Sequence, residues 1–312
     1  MLESITCLAG GVGAAKFLDG LTQVFPADRI TVIANTGDDL EYLGLYISPD
    51  IDIVCYTLAG LVDQEKGWGL RGDTHKCMEQ LEVYGAETWF RIGDRDLATH
   101  LLRAALLQQG FTLSEATDKI RTSLGVKTKI IPISNDRIAT KIKTPNGLLE
   151  FQEYFVKRKF QDKVLDVIYY GAHKAIPSEG VAASIAKADA VIICPSNPIL
   201  SIGPMLAVPG MREAMANATE KTVAVSPIVG GKALKGPLDR IMSDLKIESS
   251  AYGVAQLYKG VAEGFVIDNI DSHLLPKIKD LEMKVVSTQS IMETPIAKAN
   301  LAKETLRLAE TL

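Results

Sequence analysis

Short apolar runs recur along the chain, each closed by a small, polar or glycine-rich turn and followed by residues at helical spacing. The first, Ile5 to Ala9, runs into Gly10-Gly11-Val12-Gly13, after which Phe17, Leu18, Leu21, Val24 and Phe25 repeat at helical intervals. Arg29 to Asn35 reads as a second buried strand and breaks into Asn35-Thr36-Gly37-Asp38-Asp39. Further strand patterns at Val164–Tyr170, Ala190–Cys194, Thr222–Val225, Gly264–Ile267 and Lys284–Ser287 alternate with helical ones. This rhythm predicts an α/β fold, Rossmann-like, with a mostly parallel sheet and helices on both faces.

Between these runs the pattern changes. Ser48 followed by Pro49 predicts a helix start with a capping hydroxyl, and Thr112-Leu113-Ser114-Glu115 reads as a capping box for a helix through Leu124. Asp94 or Asp96 is placed to begin a helix through Leu101, Leu102, Ala105 and Leu106, with Arg91 and Arg95 free to pair with those acids or to bind an anion. Two alternating runs, Ile138–Thr144 and Leu148–Phe155, flank Pro145-Asn146-Gly147, a strong hairpin signal. The expected organisation is a core from 1–50 and 161–312 with a helical and hairpin region, 51–160, inserted into it. Thr294 to Leu312 reads as an amphipathic helix.

Composition narrows the function classes. The 312 residues suffice for one large core or two modest ones, and a net charge of −4 without a Lys/Arg cluster argues against a broad nucleic-acid surface. No apolar run is long enough to span a membrane. Met1 to Leu8 has no basic flank and is too short for a secretory signal, so a cytoplasmic protein is expected. Cys7, Cys55, Cys77 and Cys194 form no C-x-x-C pair and are expected to be reduced and buried, and the histidines show no zinc spacing.

The candidate chemistry lies at strand ends. A strand turning sharply into a helix aims backbone N–H groups and the helix dipole at one spot, which suits a phosphate. Lys16 stands where the third glycine of a dinucleotide fingerprint would be, and no Gly-Lys-Ser/Thr closes a P-loop. Asn35, Thr36, Asp38 and Asp39 would lie beside that turn, either as site residues or as an ordinary solvated loop. Asp50 and Asp52 suit the first turn of a helix, and equally a divalent cation or a hydroxyl. Trp68 is either a stacking surface or a core aromatic. Pro195-Ser196-Asn197-Pro198, continuing to Ser201, and Ser226-Pro227-Ile228-Val229-Gly230-Gly231 close two later strands with small polar groups facing the opening turn. A nicotinamide dehydrogenase is disfavoured by the missing third glycine and by Asn35-Thr36 where a ribose-binding acid belongs.

The ordered set of these segments, with Arg91-Ile92-Gly93-Asp94-Arg95-Asp96, resembles the 2-phospho-L-lactate transferase family of coenzyme F-420 biosynthesis from the first strand to about Tyr258. The resemblance implies transfer of a phospholactyl or phosphoenolpyruvyl group from a guanosine diphosphate donor to the ribityl hydroxyl of the deazaflavin Fo, releasing GMP, with magnesium required and a homodimer expected. It implies acceptor contacts from Asp52 and Arg91, with Asn35, Thr36 and Trp68 as further candidates. The nucleotide cradle would comprise Gly10, Gly11, Gly13, Lys16, Ser196, Asn197, Ser201, Ser226 and Gly230. Asp50 and Asp52, with Asp39 third, are the expected metal-holding and hydroxyl-activating acids. Where many members read Gly-Gly-Thr-Gly-Thr-Pro-Lys, Val12, Ala14 and Ala15 stand here, which removes two hydroxyls from the turn. A related group with the same glycine turn binds UDP-sugars without known catalysis; its members usually lack the Ser-Pro-Asp-x-Asp and Ile-Gly-Asp-Arg-Asp segments.

Overall fold

The structure, a computed structural model, describes residues 2–63 and 65–312. Met1, at the head of the opening stretch, lies outside the described residues. Seven strands form the main sheet: β1 (Ile5–Ala9), β2 (Ile30–Ala34), β3 (Lys129–Pro132), β4 (Ala190–Ile193), β5 (Thr222–Val225), β6 (Gly264–Asp268) and β7 (Lys284–Thr288). Their order is β7-β6-β5-β4-β1-β2-β3, and every neighbouring pair is parallel. This is the Rossmann-like sheet expected. The order reverses between β1 and β4, and in such sheets ligands bind beyond the strands' carboxyl ends at the reversal.

Side-chain alternation divides the sheet into two buried faces. Ile5, Cys7, Ala9, Val32 and Ile192 face one core with helices α1 (Gly11–Thr22), α2 (Pro49–Leu58) and the C-terminal helix Pro295–Ala309. Leu8, Ile33, Val191, Ile193 and Phe265 face the other, covered by helices after β4 and β5. Phe17, Leu18 and Leu21 of α1 are fully buried, each contributing about 1.5–3 kcal/mol by its removal from water. Among the described residues, no helix is long and apolar enough to cross a membrane. The four cysteines are free, and Cys77 is half-buried rather than buried.

Three expectations shift. The run Lys129–Pro132 lies inside the expected insertion yet forms the β3 edge of the main sheet, paired with β2. It is short and closes on proline, and only its pairing partner makes it a strand. The run at 164–170 forms a strand over Asp166–Tyr170 that leaves the main sheet and pairs antiparallel with Ala139–Thr144, the first arm of the hairpin. The sheets therefore do not divide at 51 and 160. The hairpin forms about Asn146-Gly147 as expected, but its second arm ends at Glu150 and the chain turns into a π-helical segment, Glu153–Lys157, where Tyr154 buries itself. The capping box at Thr112 and Glu115 forms as read, and α3 (Asp94–Gln108) precedes it.

Candidate active site

The turn after β1 is closed to side chains. Gly11 has φ +74°, in the left-handed region. A Cβ at Gly10 would stand 2.6 Å from Ser201 Cβ and 2.8 Å from Asp50 Oδ2, and one at Gly13 2.3 Å from the Pro195 carbonyl oxygen. The turn thus packs directly against the segment after β4 and the start of α2. Gly10 N donates to Ser196 Oγ at 3.2 Å. Lys16, one turn into α1, has its ammonium pKa lowered by burial and then by Lys235 and Lys298. Lys235 is exposed and reaches the Lys66 carbonyl; sequence reading missed it.

The second strand end supplies acid. Asn35 Oδ1 accepts from Gly37 N at 2.8 Å, and its Nδ2 donates to Asp50 Oδ2 at 2.9 Å. Asn35 therefore bridges the loop after β2 to the first turn of α2. Asp39 Oδ2 accepts from the Tyr46 and Ser48 hydroxyls, each at 2.9 Å. Ser48 and Pro49 start α2 as expected, but the Ser48 hydroxyl goes to Asp39 and makes no side-chain cap. Asp38, Asp39 and Asp50 are all buried. Burial pushes Asp50 up to about 6, opposed by Asn35 and the Gly11 amide. It pushes Asp39 up to about 8 against the Ser48 and Tyr46 hydroxyls and the Arg103 and Arg137 charges. Asp38 is raised well above the carboxylate range by burial and then by Asp50 and Asp39. Thr36 Oγ1, Asp38 Oδ1, Asp39 Oδ1 and Thr140 Oγ1 are buried with no hydrogen-bond partner. Asp38 and Asp39 line a cleft of about 530 Å³ with Trp89, Arg137, Phe151 and Gln152.

No three His, Cys, Asp or Glu side chains among the described residues are arranged to hold a metal unaided. Magnesium, however, is commonly held by one or two carboxylates together with substrate phosphates. Asp38 Oδ1, buried and unpartnered, fits that mode, and Asp50, beside the phosphate-ready turn with one oxygen accepting from Asn35, would be the second protein ligand. A raised pKa stabilises the fold below the unfolded value, near 3.8, and that contribution is lost as pH rises through about 6 for Asp50 and about 8 for Asp39. The metal-free protein is therefore expected to melt several degrees higher at pH 5 than at pH 8.5. Magnesium should narrow the gap, and Asp39→Asn should flatten the alkaline part. Equal midpoints at both pH values would show that these carboxyls are not strained by burial.

Other expected residues are placed elsewhere. Asp52 is on the side of α2 away from Asp50, because residues two apart on a helix point about 200° apart. Arg103 Nη1 and Nη2 donate to its two oxygens, one to each. With both Asp52 oxygens engaged by Arg103, this geometry lends the expected Asp50–Asp52 metal pair no support. Arg91 is exposed and Trp68 is 51% exposed; neither lines the 530 Å³ cleft, whereas Trp89 does. Asp94 begins its helix as expected, with Gly93 at the N-cap position, and neither Asp94 nor Asp96 caps it with its side chain. Asp94 instead accepts from the Lys76 and Cys77 amides, and Asp73 accepts from the Arg95 and Asp96 amides. Asn197 Oδ1 is used in capping Ile199 and Leu200, and Ser226 Oγ in its own turn with Ile228. Gly230 N donates to Asp271, outside the acid cluster. The glycine turn, Ser196, Ser201, Asn35 and Asp50 are brought together in direct contact, with Asp38 and Asp39 beside them.

The family profile of 2-phospho-L-lactate transferase CofD matches residues 5–304. A 2-phospho-L-lactate transferase of Methanocaldococcus jannaschii is 40% identical over 316 residues, covering 100% of both chains. A phosphoenolpyruvate transferase of Streptomyces griseus is 38% identical over 312 residues, covering 98% of each. A crystal structure of a UPF0052-family protein from Bacillus halodurans superposes with a TM-score of 0.62 at 18% identity, covering 98% of this chain and 99% of that one, a likeness of fold. The family profile covers the glycine turn, the acid loop and the start of α2: the chain belongs to the 2-phospho-L-lactate transferase family.

Proposed function

We propose that this transferase moves a phospholactyl or phosphoenolpyruvyl group from a guanosine diphosphate donor to the ribityl hydroxyl of the deazaflavin Fo, releasing GMP in F-420 biosynthesis. One observation carries the reading: an anion-ready glycine turn and three buried carboxylates meet at the sheet's reversal point, beside a cleft large enough for an aromatic acceptor. The donor's diphosphate fits the N-terminus of α1, where Gly10 to Gly13, Ser196, Ser201 and Lys16 surround it. The acceptor fits the cleft of Trp89 and Phe151, which leads to Asp38 and Asp39.

The chemistry needs positioning and charge neutralisation more than a nucleophilic side chain. The acceptor hydroxyl oxygen forms a bond to the phosphorus that bears the lactyl or enolpyruvyl oxygen. The bond from that phosphorus to the bridging oxygen breaks, and GMP leaves with the electron pair. The hydroxyl proton passes to a carboxylate, and Asp39, with one oxygen unpartnered, suits that role. Magnesium held by Asp50 and Asp38 would neutralise charge on the diphosphate. Fo incubated with each donor, scored by the mass of the deazaflavin product and by GMP release, tests the reading. Product formed with either donor supports it. No product with either donor, despite GDP binding, sets it aside.

A further inference from the structure

Arg103 is fully buried, and its guanidinium forks onto Asp52 of α2. Its Nη1 also lies 3.4 Å from the Tyr46 carbonyl and 3.2 Å from His100 Nδ1. One cation therefore grips both sides of the acid cluster: Tyr46, whose hydroxyl holds Asp39, and the helix whose first turn carries Asp50. Tyr56 of α2 hydrogen-bonds Asp96 and Thr99 of α3, each at 2.7 Å, a second clamp between the same two helices. The N-terminus of α3 is itself fixed by Asp73.

A buried ion pair is a poor source of net stability, since desolvation costs several kcal/mol per ion and an apolar pair of similar volume does as well or better. What a bidentate fork does supply is geometry, because both partners must keep one orientation. The acid motif at the start of α2 therefore divides its labour: Asp50 faces the glycine turn, and Asp52 faces Arg103.

We propose that Asp52 and Arg103 are positioning residues, which lock α2 to α3 so that Asp50 stays at the glycine turn and against Asn35. The proposal rests on the transferase reading for its kinetic arm only. The test compares full-length wild type, Asp52→Asn, Arg103→Lys and the double variant Asp52→Leu/Arg103→Met in thermal midpoint, in kcat and KM for both substrates, and by crystal structure. Asp52→Asn should lower the midpoint. Arg103→Lys, which keeps the charge without the fork, should fold and lose kcat at least about fivefold with KM changed by less than about threefold. The double variant should regain the wild-type midpoint while its kcat stays down at least about tenfold, with Asp50 displaced from its 2.9 Å contact with Asn35. Recovery of kcat together with the midpoint overturns the proposal, as does wild-type kcat in Arg103→Lys. A rise in acceptor KM alone in Asp52→Asn also overturns it, because Asp52 would then touch the acceptor. Should wild type fail to turn over the guanosine donor, the functional reading falls. The position of Asp50 in the double-variant crystal, or in Arg103→Lys if the double variant does not fold, still decides the positioning role.

Discussion

Asp50→Asn is expected to reduce turnover by roughly 10²- to 10⁴-fold while leaving the protein folded. The substitution is isosteric, and the new amide can still accept the hydrogen bond from Asn35. Stability should hold or rise, because a buried carboxyl already pushed up to about 6 loses its charge. Nucleotide binding separates the explanations. Without magnesium, GDP should bind the variant as well as wild type or better, since a negative charge beside the diphosphate is gone. The gain in affinity that magnesium gives wild type should disappear. Calorimetry with and without magnesium, paired with turnover, reads both effects. Wild-type turnover in Asp50→Asn would remove this carboxylate from the chemistry.

Gly13→Ala is expected to destabilise the protein by about 2–3 kcal/mol and to abolish measurable GDP binding. Its Cβ would stand 2.3 Å from the Pro195 carbonyl oxygen. The obstacle is backbone, fixed by β4 behind it, so α1 must move outward. That motion swings the N-terminal amides away from Ser196 and Asp50 together. Gly44→Ala serves as the contrast: it has no neighbour within 4 Å and lies in a surface hairpin at φ +75°. It should lower the midpoint only by its backbone strain and leave GDP affinity unchanged. Equal GDP affinity in Gly13→Ala and wild type would show that the turn does not form the phosphate seat.

The legible part of the sequence was the part governed by local rules. Strand-and-helix alternation gave the parallel core, Asn146-Gly147 gave the hairpin, and Thr112 with Glu115 gave the capping box, because each depends on neighbours a few residues away. The convergence of the loops after β1, β2 and β4 also followed, since parallel strands bring their carboxyl ends to one rim. What escaped was decided by partners distant in sequence. Arg103 reads as one more cation in an amphipathic helix, and nothing local shows that it is fully buried against Asp52, 51 positions earlier. Ser48 reads as a cap but gives its hydroxyl to Asp39. Two features were readable in principle. Helical periodicity sets Asp50 and Asp52 on different sides of α2, and Asp38 sits in the same strand-end loop as Asp39.

The seating of the donor is the claim on which the turnover and GDP-binding predictions depend, and one crystal soaked with GDP and magnesium examines it directly. The diphosphate should lie over Gly10 to Gly13, with Ser196 and Lys16 around it and Asp50 and Asp38 on the metal. A diphosphate bound anywhere other than this turn, with Asp50 and Asp38 left unengaged, would contradict the account.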